Sequence, residues 1–160
     1  MESSRPATAA DIPRVVELAH LMRAELSVMR GGELWLAREA WPEPLDDVYS
    51  ALVSRDDALV VVGTIDDVVI GYGAVLVETL RSGARLGVIS DLFVEEEARS
   101  VGVGEAMVGA LVAHCRAHDC LGIDASALPG HRAAKNFFET HGFTARALVM
   151  HRRLDAASSQ

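Results

Sequence analysis

"VEEEARSVGVGEAM", residues Val94 to Met107, is the stretch that decides the fold of this chain. It places Arg99 three residues before Gly102 and five before Gly104, between an apolar run and a helical pattern. The first turn of a helix exposes unpaired N–H groups and partial positive charge, and glycines let an anion approach that backbone closely. Arg99 can add a charge-assisted contact. The stretch therefore predicts a diphosphate site after a strand.

Two other phosphate-binding motifs are excluded by residues of the same stretch. A Walker loop needs GxxxxGK[ST], but no lysine follows either glycine. A dinucleotide-binding turn needs a third small residue at the position where this chain has Met107. The glycines can also serve only as a tight turn between a strand and a helix, and this alternative stays open.

The part of the chain before this stretch predicts two helices and three strands. Thr8 and Asp11 resemble a capping box and precede apolar residues at helical spacing, and a second helix is expected over residues 45–53. Residues 30–44 hold two glycines and two prolines, which indicate irregular chain or short helical turns. Three β-branched runs, separated by TIDD and RSGA, then predict an antiparallel meander.

The second half predicts helices that alternate with single strands. A helix is expected from about Gly102 to His118, followed by the strand CLGIDAS and by the helix HRAAKNFFETH, which Gly142 ends. The segment FTARALVMHRRL, residues 143–154, is expected to be the last strand. The order of elements predicts an α+β fold with a mixed sheet.

Composition and charge limit the kinds of protein that fit the chain. Its 160 residues, half of them hydrophobic, suit one domain over residues 1–154 with a frayed tail at 155–160. A formal net charge of -8 argues against partners such as nucleic acid or an anionic membrane. Neither a signal-peptide pattern nor a bilayer-spanning apolar run is seen, so a cytoplasmic protein is expected.

The stretch HCRAHDC brings four potential zinc ligands together, namely His114, Cys115, His118 and Cys120. Their spacing differs from the paired motifs of structural zinc sites, so we expect no metal. His114 lies in helical register with apolar residues, which favours a packed side chain. A metal-binding or purely interacting protein built around this stretch remains an alternative class.

Together these motifs resemble the GCN5-related N-acetyltransferase (GNAT) family, whose acyl-CoA signature [QR]-x-x-G-x-[GA] follows a strand written D-L-x-V. In this chain the signature reads DLFVEEEARSVGVG, residues 91–104. RPATAADIPRVVEL resembles the family's opening strand and first helix, IGYG its strand-turn-strand, and HRAAKNFFETHGF its closing element. The resemblance covers essentially the whole chain and implies a mixed, mostly antiparallel central sheet flanked by helices on both faces.

The resemblance implies acetyl-CoA as cosubstrate and no metal. Val101 stands where many members have a basic residue, His131 where they often have Asn, and Phe138 where a tyrosine commonly protonates the departing thiolate. A thiol has a reference pKa near 8.5, so a thiolate can leave without that proton at modest cost. The residues implied to contact the cofactor are Leu92, Phe93, Val94, Arg99, Ser100, Val101, Gly102, Val103, Gly104, His131 and Phe138.

The implied reaction is direct attack of a primary amine on the acetyl thioester. Asp91 is the first candidate for the general base, through water, with Ser90 as a relay, and a purely structural role for Asp91 is an equal alternative. The glutamates that serve as the family's base on this strand have no counterpart here. Glu33, Trp35 and Tyr72 are candidates for binding the amine, although large aromatic side chains more often fill a core.

These inferences predict an N-acetyltransferase that acts in a ternary complex on a primary amine of a small molecule or protein. The resemblance also favours a homodimer. The alternative is a catalytically impaired module that binds or senses acyl-CoA, because Phe138 cannot donate a proton and the family's glutamate is absent.

Overall fold

Five strands form one sheet in the computed structural model of the chain, which describes residues 1–154. Their order in space is the same as their order along the chain, with β1 to β4 antiparallel and β5 parallel to β4. The predicted frayed tail at 155–160 lies outside the described residues. The strands are β1 (Glu2–Pro6), β2 (Ala58–Ile65), β3 (Val68–Thr79), β4 (Arg85–Val94) and β5 (Cys120–Ala125).

Five α-helices accompany the sheet, and four of them were predicted at nearly these bounds. The short helix α2 lies within the segment expected to be irregular or to form helical turns. None of the helices within residues 1–154 is both long and apolar enough to cross a bilayer. The helices are α1 (Ile12–Ser27), α2 (Gly32–Arg38), α3 (Leu45–Val53), α4 (Val103–Ala117) and α5 (Arg132–Thr140).

The sheet has a hydrophobic core on each face, because successive side chains of a strand point to opposite sides. Val60 and Val62 pack on the side of α1 and α3, which we call the α1 face. Val61, between them, packs with Met107 and Leu111 on the opposite side, the α4 face. The predicted α+β fold, with helices on both faces of a mixed and mostly antiparallel sheet, is confirmed.

A β-bulge interrupts β4 at Ser90. Asp91 pairs with Ala74 and Ile89 pairs with Val75, so Ser90 has no partner on β3. An extra residue reverses the direction of the side chains that follow it. Ile89 accordingly packs on the α4 face, whereas Asp91 is directed to the α1 face. Pairing between β4 and β5 ends at the same place, because its last pair joins Ile89 to Ala125.

The start of α1 is held by the carboxylate of Asp11. Arg5 donates two hydrogen bonds to it, at 2.7 and 3.0 Å, and the N–H of Thr8 donates a third at 2.8 Å. The hydrogen bonds from Arg5 are the main cause that lowers the pKa of Asp11 to about 2. The predicted link between Thr8 and Asp11 is confirmed.

The predicted last strand is wrong within this chain, since residues 143–154 form no strand. Leu148, Val149 and Met150 are 83%, 90% and 86% exposed. The segment starts beside β5, where Arg146 pairs with Asp124, but its end lies beside α2. It therefore leaves the edge of the sheet. An apolar pattern shows that a segment can pair, but a strand forms only where a neighbouring strand offers its backbone.

Candidate functional site

β4 continues beyond its last pair with β5, and this leaves an opening between the two strands. The last pair joins Ile89 to Ala125, while β4 runs on to Val94. The edge of β4 that faces β5 is thus unpaired over residues 90–94 within the described chain. Such an edge can accept an extended, amide-containing ligand as an added strand. The predicted cofactor residues Leu92, Phe93 and Val94 all lie along this opening.

The glycine loop ends in an uncapped helix start. Ser100 and Gly102 have positive φ angles of 71° and 94°, and α4 begins at Val103 without a hydrogen bond from a capping side chain. The N–H groups of the first turn of α4 are therefore available to an anion. A Cβ atom on Gly104 would lie 3.1 Å from the ring of Phe137, so a larger residue at this position would crowd that ring. The loop therefore leads into a helix start that has no side-chain cap.

Arg99 forms an ion pair with Glu25, which the sequence analysis did not predict. Its Nη2 donates to Glu25 at 2.8 Å and its Nε to the carbonyl of Val94 at 2.8 Å, while its guanidinium lies 5.3 Å from the centroid of the Phe93 ring. A phosphate at the loop would compete with Glu25 for Arg99. Glu25 belongs to α1, far from the loop in sequence, and no local motif connects the two residues.

Two further predicted cofactor residues, His131 and Phe138, lie in different surroundings. His131 lies at the start of α5, and its burial, with Arg99 also contributing, lowers its pKa, so the imidazole is neutral at pH 7. Phe138 instead packs against the core of the α4 face, with its ring centroid 5.2 Å from that of Phe143. The structure therefore brings His131 near Arg99, whereas the contacts of Phe138 are those of a packing residue.

Asp91 is the centre of a buried polar cluster on the α1 face. Its side of the strand is set by the bulge, and the residue is only 3% exposed. Its carboxylate has four acceptor positions, and four donors fill them. The donors are the hydroxyls of Tyr49 at 2.6 Å, Tyr72 at 2.7 Å and Ser90 at 2.6 Å, and the indole Nε1 of Trp41 at 2.9 Å.

The two tyrosines of the cluster act as permanent donors. Burial, with Asp91 nearby, raises the pKa of both Tyr49 and Tyr72 far above 10. Both phenols therefore stay protonated across the physiological range. Tyr72, predicted to contact the acceptor, is fully buried and does not reach an open cleft. Tyr49 was missed by sequence reasoning, because it lies 42 residues from Asp91 in an ordinary helical pattern.

A small cavity of about 10 Å³ adjoins the carboxylate, which is room for about one water molecule. Arg23 lines it and donates through Nη1 to the carbonyl of Trp41 at 2.7 Å, which holds the loop after α2 in place. Trp35, which is a predicted acceptor-binding residue, lines the cavity, whereas Glu33, another, is exposed on α2 and does not. The lining residues are Met22, Arg23, Trp35, Ala40, Trp41, Tyr49, Ser90 and Asp91.

The potential zinc ligands make structural contacts instead. Cys115 is buried where a Cβ on Gly87 would lie 2.4 Å from its Sγ, and burial raises the pKa of this thiol to about 12. The ring of His118 hydrogen-bonds with the carbonyl oxygens of His114 and Asp56, both at 2.9 Å. Residues 1–154 contain no group of three or more His, Cys, Asp or Glu side chains placed to hold a metal ion.

Comparison with known proteins gives a family match over most of the chain. The model of the acetyltransferase (GNAT) family matches residues 19–143. A comparison with curated proteins gave no match.

Several solved structures share this fold at low sequence identity. Glucosamine-6-phosphate N-acetyltransferase from Arabidopsis thaliana is 22% identical, with 97% of this chain and 99% of that chain covered and a TM-score of 0.69. A tetramutant of the BH1408 protein from Bacillus halodurans is 23% identical, covering 94% and 99%, with a TM-score of 0.78. An aminoglycoside acetyltransferase from an uncultured soil metagenomic sample, in complex with sisomicin, is 17% identical, covering 97% and 96%, with a TM-score of 0.71.

Proposed function

The chain belongs to the acetyltransferase (GNAT) family, and from that premise we propose that it transfers an acetyl group from acetyl-CoA to a primary amine in a ternary complex. One observation carries the proposal. The unpaired edge of β4 leads to an uncapped helix start reached through positive-φ Ser100 and Gly102. An extended amide chain that ends in a diphosphate matches this succession of an open strand edge and an anion cradle.

Residues of this chain could bind two parts of the cofactor, the pantetheine arm and the diphosphate. The backbone of residues 92–94 would bind the pantetheine arm, and the loop from Arg99 to Gly104 would bind the diphosphate. Arg99 would exchange Glu25 for phosphate, and the neutral ring of His131 can donate a hydrogen bond nearby. When bound, acetyl-CoA supplies an acetyl thioester as the acyl donor.

The cavity beside Asp91 has room for about one water molecule, so we propose it as the site of the acceptor's amino group only. A carboxylate with two indoles around it suits a cationic amine, because the charge attracts the ammonium group and the rings can lie against it. Two structural neighbours are named as acetyltransferases of glucosamine-6-phosphate and of aminoglycosides. These names support an amine-bearing small molecule as the acceptor.

The proton of the amine is the main chemical obstacle. An amine with a pKa near 10.4 is neutral in only about one molecule in 2,500 at pH 7, a handicap of about 4.6 kcal/mol. Asp91 can take the proton once one of its four hydrogen bonds is released. Trp41 is the donor to release, because it alone lies on a loop, whereas Tyr49, Tyr72 and Ser90 belong to a helix or strands.

We therefore place the amine nitrogen where the indole N–H of Trp41 lies, on Oδ1 of Asp91. Ser90 donates to the same oxygen and can relay the proton. Both tyrosines of the chain are bound to Asp91, so neither is available to protonate the leaving thiolate. The thiolate would leave unprotonated, as its reference pKa near 8.5 allows.

A second candidate function rests on the same observation about the tyrosines. With Phe138 packed against the core of the α4 face and both phenols held by Asp91, the chain could bind acyl-CoA without efficient transfer. It would then act as an acyl-CoA-binding or sensor module.

Calorimetry and a thiol-release assay together test the proposal. Arg99→Ala should weaken CoA binding about 10- to 100-fold, the amount expected for hydrogen bonds between charged groups, and should leave binding of pantetheine, which lacks the diphosphate, unchanged. Arg146→Ala, which removes an exposed guanidinium elsewhere, should change neither. Thiol release from acetyl-CoA should accelerate with at least one amine in a panel of amino sugars, aminoglycosides, polyamines and peptides.

The outcomes separate the candidates. No CoA binding by the folded wild-type chain at millimolar ligand would refute both functions. Tight binding without acetylation of any amine would leave the sensor module. An equal loss of CoA and pantetheine affinity in Arg99→Ala would contradict the position given to the diphosphate.

A further inference from the structure

Arg23 is a half-buried cation that forms no ion pair within the part of the chain that the structure describes. The other half-buried arginine of that part, Arg14, is paired with both Glu17 and Glu95. A guanidinium has five N–H donors, and Arg23 makes one hydrogen bond there, from Nη1 to the carbonyl of Trp41. A charge that is partly removed from water usually has a counter-ion. The remaining donors of Arg23 are therefore available to an anion.

Asp91 and Glu43 lie near Arg23, but both carboxylates are bound to other groups. Four other donors fill the acceptor positions of Asp91, which lines the same cavity. The hydrogen bond from His20 is the main cause that lowers the pKa of Glu43, and the charge of Arg23 contributes to it. The oxygens of Glu43 are bound to His20 at 3.0 Å and to the N–H of Leu45 at 3.3 Å. Neither carboxylate therefore forms an ion pair with Arg23.

Trp41 connects the two charged groups of the cavity. Its carbonyl accepts a hydrogen bond from Arg23 at 2.7 Å, and its indole N–H donates to Oδ1 of Asp91 at 2.9 Å. The guanidinium and the carboxylate thus contact the same residue and line the same cavity. A molecule whose amino group replaces the indole N–H on Asp91 would therefore have its neighbouring atoms beside Arg23.

We propose that the acceptor carries an anionic group, a carboxylate or a phosphate, close to its primary amine, and that Arg23 binds this group while Asp91 binds the amine. This inference rests on the proposed function, which it deepens by naming the class of acceptor. A planar guanidinium can bind a carboxylate or a phosphate through two parallel hydrogen bonds. A polyamine would instead bring a second positive charge toward Arg23.

The size and the charge of the site support this division of the acceptor. The cavity of about 10 Å³ has room for an amino group but not for the anionic group as well. Because Arg23 is only half-buried, an anion can reach it from the open side without entering the cavity. The chain as a whole has a net charge of -8, which repels an anionic molecule, so a local guanidinium is needed to hold one.

Matched pairs of acceptors test the inference. β-Alanine differs from propylamine by a carboxylate, and phosphoethanolamine differs from ethanolamine by a phosphate, so the two pairs also identify which anion is preferred. With acetyl-CoA, and with rates compared per molecule of free amine, the anionic member of at least one pair should have a kcat/KM about 10- to 100-fold higher. Arg23→Gln should reduce this ratio to within about 3-fold of one, mainly through a higher KM, because a binding contact is lost.

Two further variants separate binding of the anion from a structural role of Arg23. Arg23→Lys keeps the positive charge and should retain part of the preference. Arg116→Gln, at an exposed position of α4 on the other face of the sheet, should retain all of it. If Arg23 only held the loop of Trp41 in place, Arg23→Gln would slow both members of each pair equally and leave the ratio unchanged.

The outcomes distinguish this inference from the proposed function. Acetylation without preference for either anionic member, or a preference that persists in Arg23→Gln, would refute the role of Arg23 and leave the transferase standing. If no amine is acetylated, calorimetry of the same pairs with CoA present decides by affinity. Tighter binding of an anionic member to the wild type than to Arg23→Gln would support the assignment, and equal affinities would refute it. Arg23→Lys and the wild type decide if Arg23→Gln fails to fold.

Discussion

The two ends of the sheet are completed to different degrees. At the closed end, which we define as β1 to β4 with α1 and α3, Val62 and Tyr72 are fully buried and even the carboxylate of Asp91 has a donor at every acceptor position. At the open end, defined as β5, α5 and residues 143–154, helix α5 buries no side chain. The closed end is thus a well-packed core, whereas the open end has exposed side chains and an unpaired edge of β4, where we propose that the cofactor binds.

The largest effect is expected from a substitution at Asp91, the buried carboxylate of the closed end. Asp91→Asn should lower kcat about 100-fold or more, because the proton acceptor is lost, while the affinity for CoA should stay near that of the wild type. The rate of the variant should rise with pH until the amine itself deprotonates, since the variant depends on free amine. Steady-state kinetics between pH 6 and 10 measure both.

Two matched variants sharpen this result. Trp41→Phe removes the indole N–H from Asp91 but keeps an aromatic, although smaller, ring beside the cavity, and it should keep or raise kcat because the amine no longer displaces that donor. Asp124→Asn, at the open end, should leave kcat unchanged. If Asp91→Asn retained full activity with a wild-type pH profile, Asp91 would be a structural carboxylate and the assignment would fail.

The next effect in size is the pH dependence of stability at the closed end. Asp11 has a folded pKa of about 2, against an unfolded value near 3.9, so its contribution of about 2 kcal/mol is present above pH 4 and is lost as the pH falls toward 2. Urea unfolding of the wild type and Asp11→Asn over this range should show the two stabilities converge. Parallel curves at all pH values would contradict the role of Arg5.

Asp124 provides the comparison at the open end. The Arg146 guanidinium lowers the pKa of Asp124 as well, but Arg146 is largely exposed. Exposed ion pairs contribute little, about 0–1 kcal/mol. Asp124→Asn should therefore change the acid limb of the stability curve less than Asp11→Asn does.

The last comparison is between two glycines on neighbouring strands. A Cβ on Gly87 of β4 would lie 2.4 Å from Sγ of the buried Cys115, so Gly87→Ala should cost about 1–2 kcal/mol in the free energy of unfolding. Gly122 of β5, which pairs with Leu86, has nothing within 4 Å of such an atom. Gly122→Ala should be neutral or slightly stabilising in thermal unfolding. Equal losses would show that the open end is as tightly packed as the closed one.

Much of this architecture could be predicted from sequence, because the determinants are local. The spacing of apolar residues predicted α1, α3, α4 and the meander, and Gly102 marked the start of α4. Turn and cap residues act within a few positions of each other, so their patterns can be recognised in the sequence. The glycine loop of the candidate site, residues 99–104, could be predicted for the same reason.

The rest depends on contacts between distant residues. Nothing near Asp91 in sequence indicates that Tyr49 and Trp41 donate to it, or that Glu25 occupies Arg99. The apolar pattern of residues 143–154 predicted a strand, and that prediction was wrong because the pattern carries no information about a neighbouring strand. Pairing is a property of two segments, so one segment cannot specify it.

The bulge at Ser90 has a consequence for how this strand tolerates change in length. This one extra residue lies where the pairing with β5 ends, and it allows Ile89 and Asp91, which are two positions apart, to face opposite sides of the sheet. Deleting it would restore an unbroken ladder in which Asp91 directly follows Ile89, so the carboxylate would stay on the α1 face and lose the hydrogen bond from Ser90. The same deletion among Glu95–Glu97 would fall in a turn, where a change of length leaves the parity of the strand intact.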